Sequence, residues 1–418
     1  MDHRNIKVAW HFPHHEGKGR GRRQRKLAAL CSAGVVALIA SACGGTTPAA
    51  SSSSHGTTIT VPVILPLTGP EAIVGLGTEK ALTGLAKEIN ATGVLKNGNK
   101  IALKMYDNQS LPSVAVSIAS QLGHTYPYLL NGSISNTEIP VNSITSSNGP
   151  VTYNISPAVV APAGSYIFVG TASTPSVASD SLKYAHSQGW NRIALITSTD
   201  PSGAQGRQAV ESVIGQVSPS LKLVANETFA VTDSSVSSQM AAIASAKPQA
   251  IVLWSTGPQI GTVFEAMRAD GLTNTPIFVS YGNESFSLMK SLSSVLPTNL
   301  YTQAPMYMMT NTPVPAAAKP QLKLLYASYH TSAGHLDANP SYCDDGLLLF
   351  VAAINHLGAN ASASAIRNYI QSLSTWAGVD GIYHFSRSNH RGITGASYGI
   401  VRWDPSSKLF APVSPLGG

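Results

Sequence analysis

Charge is scarce in this chain. Of its 418 residues only 11% are Asp, Glu, Lys or Arg, less than half the share of about 25% usual in soluble proteins. What charge there is sits unevenly. Residues 1–42 carry eight basic and two acidic side chains, a net +6, which leaves only +1 of the formal +7 for the other 376 residues. A nearly neutral body lacks the clustered cations on which phosphate-backbone affinity rests, so no nucleic-acid partner is expected. With 43% hydrophobic residues, the same scarcity argues against disorder and for sizeable cores, about two domains by length. Cysteine is rarer still: Cys31, Cys43 and Cys343 are the only three. Only Cys343 falls in the body, so no internal disulfide is expected and stability rests on core size. Placed just before the apolar run 347–354, Cys343 reads as a buried thiol rather than a nucleophile or metal ligand.

Signatures of the common chemistries are missing too. There is no His-Glu-x-x-His, Cys-x-x-Cys or P-loop, which removes the familiar metalloprotease, redox and nucleotide signals. Gly75-Leu76-Gly77 opens like a dinucleotide fingerprint, but Lys80 stands where the third glycine belongs. The histidines beyond Cys43 are scattered, with no i, i+4 pair to make a metal face. Neither a metal nor a cofactor is expected. Asp107, Asp200, Asp233, Asp344, Asp345 and Asp380 lie near strand ends or turns, where capping is the plain explanation. No catalytic role is expected for them; a secreted α/β hydrolase with an unrecognised nucleophile is the enzyme-class alternative.

No apolar run suits a permanent membrane span. The uncharged stretch 27–42 follows the basic segment and is 16 residues long, short of the roughly 20 that a spanning helix needs. Basic segment, apolar stretch and small residues at the exit are the order of an export signal. Ala40-Ser41-Ala42-Cys43 satisfies the small-x-small cleavage rule and also resembles a bacterial lipobox, although Ala40 stands where Leu is preferred. Both readings start the mature chain at Cys43. Residues 44–56, rich in Gly, Ser and Thr, read as a flexible tether, which favours a lipid on Cys43 over plain secretion. Arg22-Arg23 lacks the apolar residues that follow a twin-arginine pair, so ordinary secretion is expected.

Beyond the tether the chain alternates strands and helices. Strands are expected at 59–65, 101–106, 128–130 and 151–154, with helices around 81–89 and 113–122. A second series has strands at 192–196, 223–229, 250–254 and 276–280, with helices near 177–188, 204–214, 236–244 and 260–269. Helices near 320–332 and 342–357 and strands at 382–385 and 397–401 follow. Such alternation implies α/β lobes with doubly wound parallel sheets, and ligands at the carboxyl ends of strands.

Three ordered motifs carry a family resemblance: Val63-Ile64-Leu65-Pro66-Leu67-Thr68-Gly69-Pro70, Ala86-Lys87-Glu88-Ile89-Asn90-Ala91-Thr92-Gly93 and Tyr106-Asp107-Asn108-Gln109-Ser110. They resemble the opening of the leucine/isoleucine/valine-binding proteins, the branched-chain amino-acid and amide class of substrate-binding proteins of ABC transporters. The likeness runs on through 190–196 and Phe264 to Leu272, and covers the chain from Thr57. The resemblance implies a type I periplasmic-binding fold, two lobes joined by three crossovers, here near 172–175, 303–306 and 396–399. One lobe would span 57–172 plus 306–398, the other 173–303 plus 400–418. It further implies a small-molecule ligand, an ABC permease partner and a lipid-anchored place outside the cell membrane; a sensing lipoprotein on the same fold is the alternative.

The resemblance also implies a ligand site. Ser135, Asn136 and Thr137 match the family's serine-bearing loop, and Ala158, Val159 and Val160 the next loop. Val74 and Ser202 stand where aromatic residues often line the cleft, while Gly282 or Asn283 falls where an acid would meet an amine. Glu284 is the nearest substitute. Thr256 and Tyr281, with Trp254 and Ser255, lie at strand ends of the second lobe. The helix start after Pro70 offers free amides for an anion.

Overall fold

The computed structural model describes residues 56–417 apart from 124, 133, 331–335 and 337. The export signal, Cys43 and the tether up to residue 55 lie outside the described residues. The first sheet holds β1 (Thr58–Leu65), β2 (Lys100–Asp107), β3 (Tyr128–Asn131), β4 (Val151–Asn154) and β5 (Ile167–Val169) in the order β2-β1-β3-β4-β5, all parallel. Residues 61–65 of β1 are buried without alternation, as a strand covered on both faces requires. Helices α1 (Ala72–Thr92), α2 (Pro112–Leu122) and α3 (Ser135–Thr145) connect these strands.

The chain then leaves the first sheet for α4 (Thr174–Ser187) and builds a second one. Strands β6 (Arg192–Ser198), β7 (Lys222–Phe229), β8 (Ala250–Trp254), β9 (Ile277–Val279) and β10 (Leu300–Pro305) alternate with α5 (Pro201–Val217), α6 (Ser237–Ser245), α7 (Ile260–Ala269) and α8 (Phe286–Ser291). After β10 the chain turns back: α9 (Lys319–Ser328) and α10 (Ala338–Leu357) pack on α1, and α11 (Ala363–Gln371) packs on α10. A small hairpin, β11 (Trp376–Ala377) with β12 (Ile382–Tyr383), precedes the last passage to β13 (Tyr398–Asp404) and β14 (Leu409–Pro412). The second sheet reads β14-β13-β10-β9-β8-β6-β7. It departs from the expected all-parallel form at one edge, because β13 pairs antiparallel with β10 and β14 antiparallel with β13. A strand arriving from the other lobe at the far end of β10 can join only in that sense.

Three passages between the lobes follow β5, follow β10 and precede β13. They meet around a buried acid. Asp345 of α10 accepts the Val379 and Asp380 amides at 2.6 and 3.0 Å, and the Asp380 carbonyl accepts Met306 N at 2.9 Å. The Tyr383 hydroxyl stands 2.8 Å from the Gly170 carbonyl and 2.9 Å from Asp345 Oδ2. Burial raises the Asp345 carboxyl to about 6, against the bonds from Val379, Asp380 and Tyr383 that lower it.

Several elements escape the sequence pattern. β5 has three residues, too few for periodicity to register. β10 is buried throughout but ends in Pro305, which reads as a turn. α3 carries Pro140 and a polar first turn; it forms because Val141 packs against Ile64 and Leu129 of the sheet beneath.

One close approach shapes the second lobe. In α5, Gly206 lies over Trp254, and a Cβ there would stand 2.1 Å from the indole Cγ. Gly206→Ala is expected to cost roughly 1–3 kcal/mol, read as a lower urea midpoint at unchanged slope. An unaltered midpoint would mean that α5 can lift off β8 freely.

Candidate functional site

The carboxyl ends of both sheets face one cleft, as open α/β sheets dictate. From the first lobe come Glu71, Ile134, Ser135, Asn136, Ile155, Ser156, Pro157 and Tyr342. The second contributes Asp200, Ser202, Val231, Trp254, Thr256, Gln259, Ser280, Tyr281 and Gly282. The cavity measures about 90 Å³. With roughly 10–15 Å³ needed for each water-sized group on this scale, it suits a compact small molecule rather than a peptide or polymer.

Each wall has an identifiable support. The 106–110 motif shapes the loop after β1: Asp107 accepts Leu67 N, Thr68 N and Gln109 N at 2.9, 3.1 and 2.8 Å, and the Thr68 hydroxyl at 2.6 Å. Desolvation opposes it, yet these bonds hold the Asp107 carboxyl below its usual range. Ser110 then passes the support on, donating to Thr68 O at 3.0 Å and accepting Glu71 N at 3.2 Å, so Glu71 is held at the head of α1. On the next loops, Ser135 Oγ lies 2.7 Å from Ser156 Oγ. Glu138 of α3 accepts the Ile155 and Ser156 amides at 3.1 and 2.9 Å. Burial pushes the Glu138 carboxyl up to about 8, although those amides and nearby Arg391 pull it down.

The second lobe is pinned in the same way. Asp200 caps α5, accepting Ser202 N and Gly203 N at 3.2 and 3.3 Å and the Ser198 hydroxyl. Asn283 Oδ1 accepts Gly257 N at 2.9 Å while its Nδ2 donates to Ser255 O at 2.7 Å, which locks the loops after β8 and β9 together. Tyr281 and Tyr342 form the floor, and Tyr398 packs against both, with ring centroids 5.0 to 6.5 Å apart among the three.

The structure brings together half of the expected site residues. Ser135, Asn136, Ser202, Thr256, Tyr281 and Gly282 line the cleft, as does Trp254; Val74, Thr137, Ala158, Val159, Val160 and Glu284 do not. Val74 faces the core of its own lobe, and the place expected for it belongs to Glu71, one helical turn earlier. The Thr137 hydroxyl donates to Ile134 O at 3.2 Å, closing the first turn of α3. Ala158 and Val159 are buried and Val160 is 76% exposed, because Arg391 draws this loop away from the cleft. Its guanidinium donates to Thr171 O at 2.7 Å, Ala172 O at 3.2 Å, Pro157 O at 3.3 Å and to Val159 O. Glu284 is fully buried behind the cleft. The head of α1 is no anion seat: Ala72 N and Val74 N donate to the Gly69 and Glu71 carbonyls, and the Glu71 carboxyl occupies the opening. Sequence reasoning missed Glu71, Asp200, Ser156, Gln259 and Tyr342; a carboxylate at a helix start and Asp-Pro at another read simply as caps.

These residues set the electrostatics. Among the described residues that line the cleft, the ionisable ones are Glu71, Asp200, Tyr281 and Tyr342. Glu71 crosses toward the second lobe, where a Cβ on Gly257 would stand 2.4 Å from its Oε2. Burial, and then the charge of Asp200, push the Glu71 carboxyl up to about 7. No cluster of three or more His, Cys, Asp or Glu among the described residues is placed to hold a metal. No helix among them is long and apolar enough to cross a membrane.

Residues 58–408 match the sequence model of the Periplasmic binding protein family. The chain belongs to that family. It is an extracytoplasmic solute-binding protein of the type I fold, and similar solved structures share its architecture. The branched-chain amino acid transporter substrate-binding protein of Streptococcus pneumoniae, in complex with isoleucine, is 18% identical with a TM-score of 0.69, covering 86% of this chain and 100% of that one. A fatty acid ABC transporter substrate-binding protein from Thermomonospora curvata is 21% identical with a TM-score of 0.69, covering 86% and 92%. A solute-binding protein from Rhodopseudomonas palustris, in complex with 4-hydroxybenzoate, is 14% identical with a TM-score of 0.69, covering 85% and 96%. No curated protein matches the chain in sequence.

Glu71 makes stability depend on pH. Its folded pKa of about 7 lies above the ordinary 4.5, so the folded state holds the proton more tightly and stability falls as pH rises between the two values. Glu71→Gln should therefore stabilise the ligand-free protein by roughly 1–3 kcal/mol at pH 8 and leave it unchanged near pH 4, measured by urea unfolding at both pH values. An equal gain at both would place the carboxyl in solvent.

Proposed function

We propose that this protein is a lipoprotein, anchored through Cys43 to the outer face of the cell membrane, that captures a small molecule between its lobes and delivers it to an ABC permease. The observation that carries the reading is a cleft of about 90 Å³ lined by loops from both sheets, at the join of lobes connected by three chain passages. A ligand touching both walls favours the closed arrangement over the open one, and that difference is what a permease can read. The similar structures named for ABC transporters support the delivery step. The basic segment, apolar stretch and Cys43 at the exit support the anchor. An amino acid, amide or comparable solute is the class proposed.

Two measurements test this. The protein purified from detergent-solubilised membranes is screened by thermal shift against amino acids, amides, ureas, short-chain acids and purines; a ligand at 100 times its Kd stabilises by about 2.7 kcal/mol, a shift of a few degrees. Silence across the panel would favour a sensing protein on the same fold. Cys43→Ser should move the protein from the membrane fraction to the soluble one; unchanged partitioning would overturn the lipid anchor.

A further inference from the structure

Among the described residues, the cleft is rich in acceptors and has no basic side chain in its lining. Glu71 Oε2 and Asn136 Oδ1 are shielded from solvent and make no hydrogen bond, and the same holds for the hydroxyl of Tyr342. Tyr342 is only 1% exposed and lines the same cavity as Glu71 and Asn136. An unmade bond at a buried polar atom is costly, so these atoms call for a partner that enters with the ligand. A carboxylate oxygen and an amide oxygen can only accept, and a tyrosine hydroxyl can accept as well as donate. The partner must therefore bring several N–H or O–H donors.

Charge narrows the partner further. Asp200 lines the cleft from the second lobe while Glu71 lines it from the first, and the charge of Asp200 raises the cost of ionising Glu71. The guanidinium of Arg391 is engaged with backbone carbonyls and is absent from the lining. Two acids facing one small cavity without a cation disfavour an anionic solute there, and an uncharged one leaves the pair uncompensated. Asp200 already accepts two amides and a hydroxyl, so a single positive charge balances the site.

The geometry points to a solute that carries one protonated nitrogen, an ammonium or amidinium, seated between Glu71 and Asp200 from opposite lobes with its remaining donors toward Asn136 and Tyr342. This rests on the solute-binding reading and makes Glu71, rather than an acid of the loop after β9, the residue that selects the ligand. Because its two charge partners belong to different lobes, the same nitrogen would also draw the cleft shut.

A charge-matched series of probes tests it on the detergent-purified protein by isothermal titration calorimetry. L-leucinamide and n-butylammonium carry the cation; 4-methylpentanamide and 1-butanol are neutral counterparts of similar size; 4-methylpentanoate and butyrate are the anions. Binding of a cationic probe at least tenfold tighter than its neutral and anionic counterparts is expected, with at least a tenfold loss in Glu71→Gln. Asp200→Asn keeps the cap on α5 and should show a loss of the same sign, while Val160→Ala, outside the cleft, should show none. Neutral or anionic probes binding as well as the cations, or cation binding unaltered in Glu71→Gln, would overturn the inference and leave solute binding standing. Failure of every probe here would also overturn it; if the wider solute panel is silent as well, the solute-binding reading falls with it.

Discussion

The cleft depends on how one buried guanidinium is held. Arg391 lies on the last passage between the lobes and donates to carbonyls of both the loop after β4 and the chain leaving β5. A guanidinium presents five donors in a rigid fork, and here they gather segments separated by more than 200 residues. That gathering sets the direction of residues 157–160, which turn outward after Pro157, and it leaves Ser156 and Pro157 to face the ligand. Removing one side of such a buried arrangement typically costs about 3–5 kcal/mol. Asp345 does the complementary work at the base, where its carboxylate gathers the turn at 379–380 and, through Tyr383, the exit from β5.

Scarcity of charge makes the few buried ionisable groups informative. Glu71, Glu138 and Asp345 are all raised above ordinary carboxyl values, chiefly by burial. Glu138 and Asp345 accept scaffold amides and lie off the cavity, whereas Glu71 turns an unpartnered oxygen to a cavity that it lines. Burial with partners builds walls; burial without them marks a site that a ligand completes.

Much of the fold was legible because long elements carry a period. α7 was read at 260–269 and is found at Ile260–Ala269, where alternating burial leaves one apolar face inward; β4 and β8 were read to the residue. β5 and α3 resisted for reasons of length or composition. The site was legible only by half. Ser135, Asn136, Ser202, Thr256, Tyr281 and Gly282 stand at strand ends, a position that sequence can locate. Whether a strand-end residue faces the cleft or the core turns on a single bend of the backbone, and Val160 and Glu284 fell on the wrong side of theirs.

By itself the sequence determined that this chain is a two-lobed α/β protein, since hydrophobic periodicity and composition are local and survive without a partner. It also marked the 106–110 motif without revealing its purpose. Only the tertiary structure decided which acids meet across the cleft, that Tyr342 from a helix more than 200 residues downstream closes its floor, and that Arg391 turns a loop away from it. Those are contacts between segments distant in the chain, and their geometry comes into being only when both sheets are packed and the passages between them are tied.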